Sequence, residues 1–531
     1  MHHQVLIVII LLLAVMLLVM LAQKLKIAFP IFLVLAGLMI SFIPGVPNLH
    51  IEPDVIFLIF LPPLLYEAAW YTSWQDFWKW RRSIGLLAFG LVFFTSAIVA
   101  YIAHSMIPGC TLALGFLLGG IVSPPDAVAA GSVMKGLSVP KRIMTVLEGE
   151  SLINDASSLI VYRFALLTVL SGTFSWHQAV GSFFLVAGMG IVVGIGIGYI
   201  MGLVHRYLPT TSAMDAALTF LTPYLTYLIA EQLGFSGVMA TVTAGLFVSY
   251  HAPRIFRSGD TRVNMLGVWT TLIFVLNAFV FVLIGLKLPE IVHGLGLYRV
   301  GEGIQYGLLI SGVIIVVRFV WVYPAVFIPR WLSARVRKEP SPGWKGPLVV
   351  SWAGMRGVVS LATALSIPIL SGNAAFPLRD LIIFITFVVI FVTLVFQGLT
   401  LPFLVRLIKL KEIDREKAEE EQLAQLRLHL DNMALAKLNK DYEQEQQHNG
   451  YITIFRHDIV NSININRRKL DSIERKIVSE DDIESYSSIL LDIYETQRQE
   501  LYRLRREKSY SDEVIRRVEW ELNMDEAKLE H

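Results

Sequence analysis

The sequence predicts an all-α polytopic membrane protein of about thirteen transmembrane helices, followed by a soluble helical tail. Composition is the first observation. The chain has 531 residues, 55% hydrophobic and only 17% charged, where a soluble chain of this kind carries about 25% charge. The second is the uneven placing of that charge. Residues 1–410 hold 25 Lys+Arg and 15 Asp+Glu, whereas residues 411–531 hold 20 and 28. The first stretch reads as a transmembrane domain, 1–410, and the second as a charged cytoplasmic domain, 411–531. Apolar runs of spanning length, recurring through the first stretch, are the third. This balance argues against a soluble enzyme and against a nucleic-acid binder, which needs a concentrated basic face.

A helix needs about 20 mostly apolar residues to cross a hydrocarbon core of about 30 Å. Windows meeting that test centre on 5–22, 27–45, 54–71, 84–107, 111–134, 143–171 and 178–204. A second group follows at 213–233, 236–251, 263–287, 304–331, 347–371 and 380–408. The first run is longer than a secretory signal core and lacks a basic leader, so it reads as a retained span. The loops check the count. Those after odd-numbered windows carry 17 basic residues, from Lys24 and Lys26 through Arg254, Arg257 and Arg262 to Lys338 and Lys345. Those after even-numbered windows carry Arg299 and Arg379, with Lys287 at a span edge. Positive loops stay inside, so the amino terminus is expected outside and the tail in the cytoplasm. The lone Cys110 allows no internal disulfide.

Charged side chains at bilayer depth cost a few kcal/mol, and each is a functional candidate. Here they are Glu67, Asp126, Glu148, Glu150, Asp155, Arg163, Glu231, Arg318 and Arg356. The sixth span concentrates them in Glu148-Gly149-Glu150-Ser151-Leu152-Ile153-Asn154-Asp155. At 3.6 residues per turn, Glu148, Ser151 and Asp155 share one stripe, and Glu150 and Asn154 its neighbour. Such a face must line a cavity or meet polar partners. The fifth span supplies candidates in Ser123-Pro124-Pro125-Asp126, where two prolines should break the helix at mid-membrane. A broken helix bordering protein or a cavity offers backbone carbonyls to an ion. The twelfth span carries Gly354-Met355-Arg356-Gly357, an arginine between glycines that requires a carboxylate. Spans five and twelve stand seven apart. If spans 1–6 and 8–13 are repeats joined by span 7, the odd offset makes them inverted, and corresponding interrupted spans point to a binding site.

Three segments resemble a known family. Glu150-Ser151-Leu152-Ile153-Asn154-Asp155-Ala156 resembles the Gly-Glu-Ser-Leu-x-Asn-Asp-Ala motif of sodium/proton antiporters of the NhaP/NHE type, the first monovalent cation:proton antiporter family. Gly354-Met355-Arg356-Gly357 resembles its Gly-x-Arg-Gly motif, and Leu61-Pro62-Pro63-Leu64-Leu65-Tyr66-Glu67-Ala68 its Leu-Pro-Pro segment. The resemblance covers about residues 1–410. It implies that Asp155 binds the cation or the proton, with Asp126 contributing from the broken helix and Ser151 lending a hydroxyl. Asn154 sits where electrogenic relatives place a second aspartate. Glu150 is expected to pair with Arg356. The family's Thr-Asp-Pro becomes Pro125-Asp126-Ala127 here, so its threonine is missing and Ser123 is the candidate replacement. Glu148 is a further candidate for the cavity.

Sodium and lithium are hard cations that favour the oxygens these residues provide. Burial disfavours a bare carboxylate, so a proton and a cation compete for Asp155. With Asn154 uncharged and Glu150 neutralised, one carboxylate carries one positive charge each way. The expectation is an electroneutral Na+/H+ antiporter of the cell membrane serving pH homeostasis, working by alternating access. Li+ or K+ are alternative ions, no cofactor is needed, and the resemblance implies a homodimer. A K+/H+ exchanger on the same scaffold is the runner-up, and a cation channel or sensor is the rival from another class.

Other features have plainer readings. Glu67 and Glu231 read as interfacial carboxylates, and Arg163 and Arg318 either pair with acids or reach toward the interface. The glycines of the seventh span suit close helix packing, and Trp70, Trp74, Trp78 and Trp80 read as an interfacial belt. In the tail, Leu423, Leu426, Leu430 and Met433 follow a 3-4-3 spacing that suggests a coiled-coil seam, within the tail or against a second subunit. Leu490, Ile493, Leu501 and Leu504 form a weaker stripe, and His448-Asn449-Gly450 marks a turn.

Overall fold

The computed structural model describes residues 2–42, 53–172, 176–256, 258–295, 298–337, 341–371, 374–410, 419–474, 480–507, 510 and 512–527. Nearly all of them are helical. Arg257 and Lys338 of the basic loops, and residues 411–418 beside the expected domain boundary, lie outside the described residues. The chain divides into two compact units, Met1–Asp414 and Arg415–His531.

Helices occupy every apolar window of the first unit. They begin with α1 (His2–Lys24), α2 (Phe29–Ser41), α3 (Pro53–Tyr71) and α4 (Trp74–Gly85). A π-helical stretch, Leu86–Leu91, joins α4 to α5 (Val92–Met106). The fifth window is split into α6 (Leu112–Val122) and α7 (Ala127–Met134). Then follow α8 (Lys141–Ser171), α9 (Trp176–Tyr207), α10 (Ser212–Gln232), α11 (Gly237–Ile255) and α12 (Gly259–Leu286). Short α13 (Leu288–Gly294) precedes α14 (Val300–Leu332) and α15 (Ala334–Arg337). The twelfth window is split into α16 (Lys345–Trp352) and α17 (Val358–Leu365). A two-residue antiparallel ladder pairs Leu370 with Ala375 and Ser371 with Ala374. The last window is α18 (Arg379–Phe391), a second π-helical stretch (Val392–Gln397) and α19 (Gly398–Ile408). Eight of the helical segments among the described residues are long and apolar enough to cross a membrane, and α2 and part of α1 are shorter apolar helices.

The packing separates two groups of helices. α8 packs mainly on α4, α6 and the first π-helical stretch, and α14 on α5, α16 and α18. α11 packs on α9, α3 and α10, and α12 on α2 and α10. The main apolar core takes in both groups, with Ile31 of α2 and Phe281 of α12 beside Leu117 of α6 and Phe384 of α18, but α8 itself meets α3, α9 and α11 only sparsely. A small aliphatic cluster of Leu65 from α3, Leu152 and Ala156 from α8, and Val238, Met239 and Val242 from α11 bridges them.

Local chemistry accounts for the details. Large apolar side chains on α1 and α9, among them Leu13, Leu17, Phe184 and Val192, are exposed, as a lipid-facing surface requires. The first π-helical stretch frees the Leu86 carbonyl, which accepts the Trp321 indole N–H at 2.9 Å. Trp74 and Trp78 are exposed and stacked, as an interfacial belt would be. Trp80 departs from it: it is buried beneath the Arg142 guanidinium, 3.9 Å from the ring centroid. Cys110, in the turn between α5 and α6, is buried, which pushes its thiol up to about 11 and makes it a poor thiolate.

In the second unit, α20 (Glu419–Asp441), α21 (Glu443–His448) and α22 (Gly450–Glu474) precede α23 (Glu480–Arg506) and α24 (Asp512–Ala527). α20 packs on α22 and α23 on α24. Asn449 Oδ1 accepts the Tyr451 N–H at 3.0 Å and starts α22. Leu423, Leu426, Leu430 and Met433 do not form the expected seam within the tail: they are exposed. α20 carries a second stripe one position round, and that stripe includes buried Ala424 and Asp431, whose Oδ2 accepts the Ser462 hydroxyl at 2.6 Å.

The α9–α11 contact yields a stability test. A Cβ at Gly194 would lie 3.0 Å from the Ala240 Cα and collide with that residue's carbonyl, whereas one at Gly196 meets nothing within 4 Å. Gly194→Val should therefore cost about 1–3 kcal/mol of overpacking and lower the thermal midpoint. Gly196→Ala should leave it unchanged, both read by fluorescence-detected melting of the detergent-purified protein.

Candidate ion-binding site

Two interrupted helices create the site. Pro124 and Pro125 supply no N–H to continue α6, so the helix ends at Val122 and restarts at Ala127. Asp126 occupies the N-cap of α7, and its Oδ1 accepts the Val128 N–H at 2.8 Å. The second interruption, residues 353–357, leaves α16 and α17 facing it. The two breaks are tied by backbone: the Asp126 N–H donates to the Met355 carbonyl at 2.7 Å. Arg356 reinforces the junction, its Nε donating to the Val122 carbonyl at 3.0 Å and its Nη1 to the Gly354 carbonyl. The Arg356 N–H in turn donates to Thr393 Oγ1 at 3.1 Å, from the π-helical stretch before α19.

Glycine flanks Arg356 for two steric reasons. A Cβ at Gly354 would stand 2.5 Å from Arg318 Cδ, and one at Gly357 would stand 2.6 Å from Asp126 Cγ. Either would displace a charged side chain at the junction.

α8 closes the site with its polar stripes. Asn154 Nδ2 donates to the Pro125 carbonyl at 3.0 Å, and Ser151 Oγ accepts the Ala127 N–H at 3.2 Å. These bonds occupy backbone groups that the helix break would otherwise leave unsatisfied. Asn154 Oδ1 remains buried without a hydrogen-bond partner. Asp155 is 8% exposed. Among the described residues its carboxylate makes no hydrogen bond or ion pair, and the Asp126 carboxylate lies within electrostatic reach. The available oxygens are thus those of Asp155 and Asp126, Asn154 Oδ1 and Ser151 Oγ, a set suited to a hard cation. Among the described residues no cluster of three or more His, Cys, Asp or Glu could hold a resident metal.

The family can be decided on this geometry and the chain's likeness to known proteins. Residues 8–407 match the family model described as "Sodium/hydrogen exchanger, transmembrane". The chain belongs to the sodium/hydrogen exchanger family. It is accordingly a multi-pass membrane protein of a transporter family. A "Sodium, potassium, lithium and rubidium/H(+) antiporter" of Bacillus pumilus is 33% identical over 388 residues, covering 71% of this chain and 58% of that protein. The chain therefore spans less than two thirds of the length of that relative. The "Low-affinity Na(+)/H(+) antiporter NhaS1" of Synechocystis is 30% identical over 424 residues, 79% of this chain and 76% of its own. The solved structure of the sodium proton antiporter MjNhaP1 from Methanocaldococcus jannaschii matches with a TM-score of 0.57 at 22% identity, covering 75% of this chain and 96% of that one. At that identity the match speaks for the fold.

Within this family scaffold, one expected pairing is corrected. Glu150 pairs with Arg318, not with Arg356. Arg318 Nη1 and Nη2 reach Glu150 Oε1 and Oε2 at 2.6 and 2.8 Å, with both side chains 1% exposed. Arg318 Nε also donates to the Val350 carbonyl at 3.0 Å. The reason is competition: the orphaned carbonyls of Val122 and Gly354 already occupy Arg356. Sequence showed Arg318 as a mid-span charge, yet neither spacing nor motif named its partner. Thr393 gave no signal at all, because its role depends on a π-helical register.

The remaining candidates fall around this centre. Ser123 is buried, and its hydroxyl donates to the Gly120 carbonyl at 3.3 Å within its own turn. Glu148 is exposed and lines an open groove with Gly131 and Lys135. Glu67 is half-buried in the wall of a cavity of about 200 Å³ shared with Trp70, Arg262 and Trp269. Glu231 pairs with Arg163.

The corrected pairing predicts a specific stability pattern. Removing one partner of a buried ion pair costs about 3–5 kcal/mol, whereas removing both costs far less. Arg318→Met should sharply lower the yield and thermal midpoint of purified protein. Adding Glu150→Leu should restore much of both, and adding Glu150→Leu to Arg356→Met should not.

Proposed function

We propose that the protein is a secondary antiporter that exchanges Na+ for H+ by alternating access, electroneutrally and one for one. The observation that carries the reading is Asp155. Among the described residues it is a buried carboxylate with no hydrogen-bond or ion-pair partner, on the helix whose Asn154 and Ser151 bond the first broken helix. A bare carboxylate in such a setting is costly, so a proton or a cation occupies it in turn. Asp126, Asn154 Oδ1 and Ser151 complete the oxygen set for the transported ion. The ion is substrate, and no cofactor is required.

Charge accounting supports one-for-one exchange on the revised pairing. Glu150 is balanced by Arg318. Asp126 and Arg356 enter this accounting as one negative and one positive charge at the junction, where the Asp126 N–H bonds the carbonyl of Met355, the residue before Arg356. Among the site's described residues Asp155 is then the carboxylate left to take one positive charge in each direction.

The arrangement proposed is thirteen crossings, with spans 1–6 and 8–13 as inverted repeats joined by span 7. In it the amino terminus lies outside the cell membrane, and the tail, residues 411–531, lies in the cytoplasm. The interrupted helices at the fifth and twelfth windows are what the repeat relation requires. A homodimer working in pH homeostasis follows from the family resemblance. K+/H+ exchange is the second reading, favoured by the potassium and rubidium in the name of the Bacillus pumilus relative.

Reconstitution tests this directly. In proteoliposomes, an imposed Na+ gradient should drive proton flux without generating a membrane potential, and a K+ gradient should drive markedly less. Asp155→Asn should reduce flux to the level of empty liposomes. Exchange that persists in Asp155→Asn, or that charges the membrane, would contradict the assignment.

A further inference from the structure

One ion pair in the membrane unit joins the two helix groups and takes no part in the site. Arg163 lies on α8, eight residues beyond Asp155, which places it about 12 Å further along the helix. Its Nη2 contacts Glu231 Oε2 at 2.5 Å. Glu231, in the last turn of α10, uses its other oxygen to accept the Gly237 N–H at 3.0 Å, capping the start of α11. The turn between α10 and α11 is itself fastened to α9, because the Ser236 N–H donates to the Val186 carbonyl at 3.2 Å. Arg163 therefore docks the site-bearing helix onto a fixed point of the neighbouring group.

The rest of this contact is slippery by comparison. Around Asp155 and on toward the pair, α8 meets α3 and α11 through the aliphatic cluster that includes Leu152, Ala156, Val238 and Met239, with Leu159 packed against it. Such surfaces exclude water without fixing one register. The ion pair supplies the register. Its exposure also differs from that of Glu150–Arg318: the Arg163 and Glu231 side chains are 42% and 26% exposed, against 1% for each partner of the buried pair. A buried pair is a permanent joint, whereas a partly exposed one is weak enough to break and re-form.

We propose that Arg163 and Glu231 are positioning residues forming a reversible latch, which holds α8 against the α10–α11 turn and keeps Asp155 closed from the side of the α8 carboxyl end. This rests on the antiport reading, in which that side is the outer one and Asp155 must be exposed to each side in turn. The latch closes in the state described here and opens when the site-bearing group moves. Its removal shifts the population toward the state open on that side.

Two measurements test the latch, using the full chain in proteoliposomes. The variants are Arg163→Gln, Arg163→Lys, and Glu231→Gln, which keeps an oxygen for the Gly237 N–H. In Arg163→Gln and Glu231→Gln, the apparent Na+ affinity from the outer side should change by about two- to fivefold, the weight of a partly exposed ion pair. Arg163→Lys should stay near the parent, and melting midpoints should move little. The second measurement needs no transport. With Leu159→Cys in a Cys110→Ser background, labelling by a membrane-impermeant maleimide from the outer side should quicken when Arg163→Gln is added. Unchanged affinities together with unchanged labelling would overturn the latch. A parent protein that exchanges no cation would instead overturn the antiport reading, and the labelling rates would still decide the latch.

Discussion

Two helices broken at membrane depth leave backbone groups that lipid cannot satisfy, and the membrane unit is organised around satisfying them. The Asp126 N–H to Met355 carbonyl bond joins the two breaks directly. Every neighbouring device extends that bond. Asn154 and Ser151 take up Pro125 and Ala127 backbone groups, and Arg356 takes up the Val122 and Gly354 carbonyls. Thr393 holds the Arg356 backbone. In hydrocarbon each unsatisfied group costs several kcal/mol. The junction therefore has few alternative arrangements, and it presents side-chain oxygens at a fixed depth.

Against this satisfied background, Asp155 stands out as a carboxylate that the described residues do not satisfy. Glu150 receives a bidentate guanidinium, and Asp126 caps a helix. Among the described residues Asp155, within electrostatic reach of Asp126, has neither provision. In the proposed function, a group left incomplete beside a completed frame is the one whose partner comes and goes. The same contrast separates the two ion pairs. The Glu150–Arg318 pair is sealed and belongs to the frame, while the Arg163–Glu231 pair is partly exposed and joins α8 to the end of α10.

Much of this was legible in the sequence because it was written in local terms. Prolines at 124 and 125 announced the first break, and glycines around Arg356 announced the second. The acids of α8 fell on adjoining stripes by helical period alone, and hydropathy placed every helix window. What stayed hidden was choice among distant partners. Arg318 and Arg356 were both mid-membrane cations within reach of Glu150, and only the orphaned carbonyls at the junction decided between them. The interruption at 353–357 was visible as glycine, but its grip on Thr393 required a π-helical register that no side-chain pattern encodes. In the tail, the 3-4-3 spacing of Leu423, Leu426, Leu430 and Met433 described a real apolar stripe, yet the hairpin used the adjoining one.

The central claim is that Asp155 holds a proton or a cation, never both. Titration calorimetry of the purified protein with Na+, repeated in two buffers of different ionisation enthalpy near the pH of half-protonation, tests it most directly. The account predicts close to one proton released per Na+ bound, with both the release and the binding lost in Asp155→Asn. Sodium binding that releases no protons, or release that survives Asp155→Asn, would contradict it.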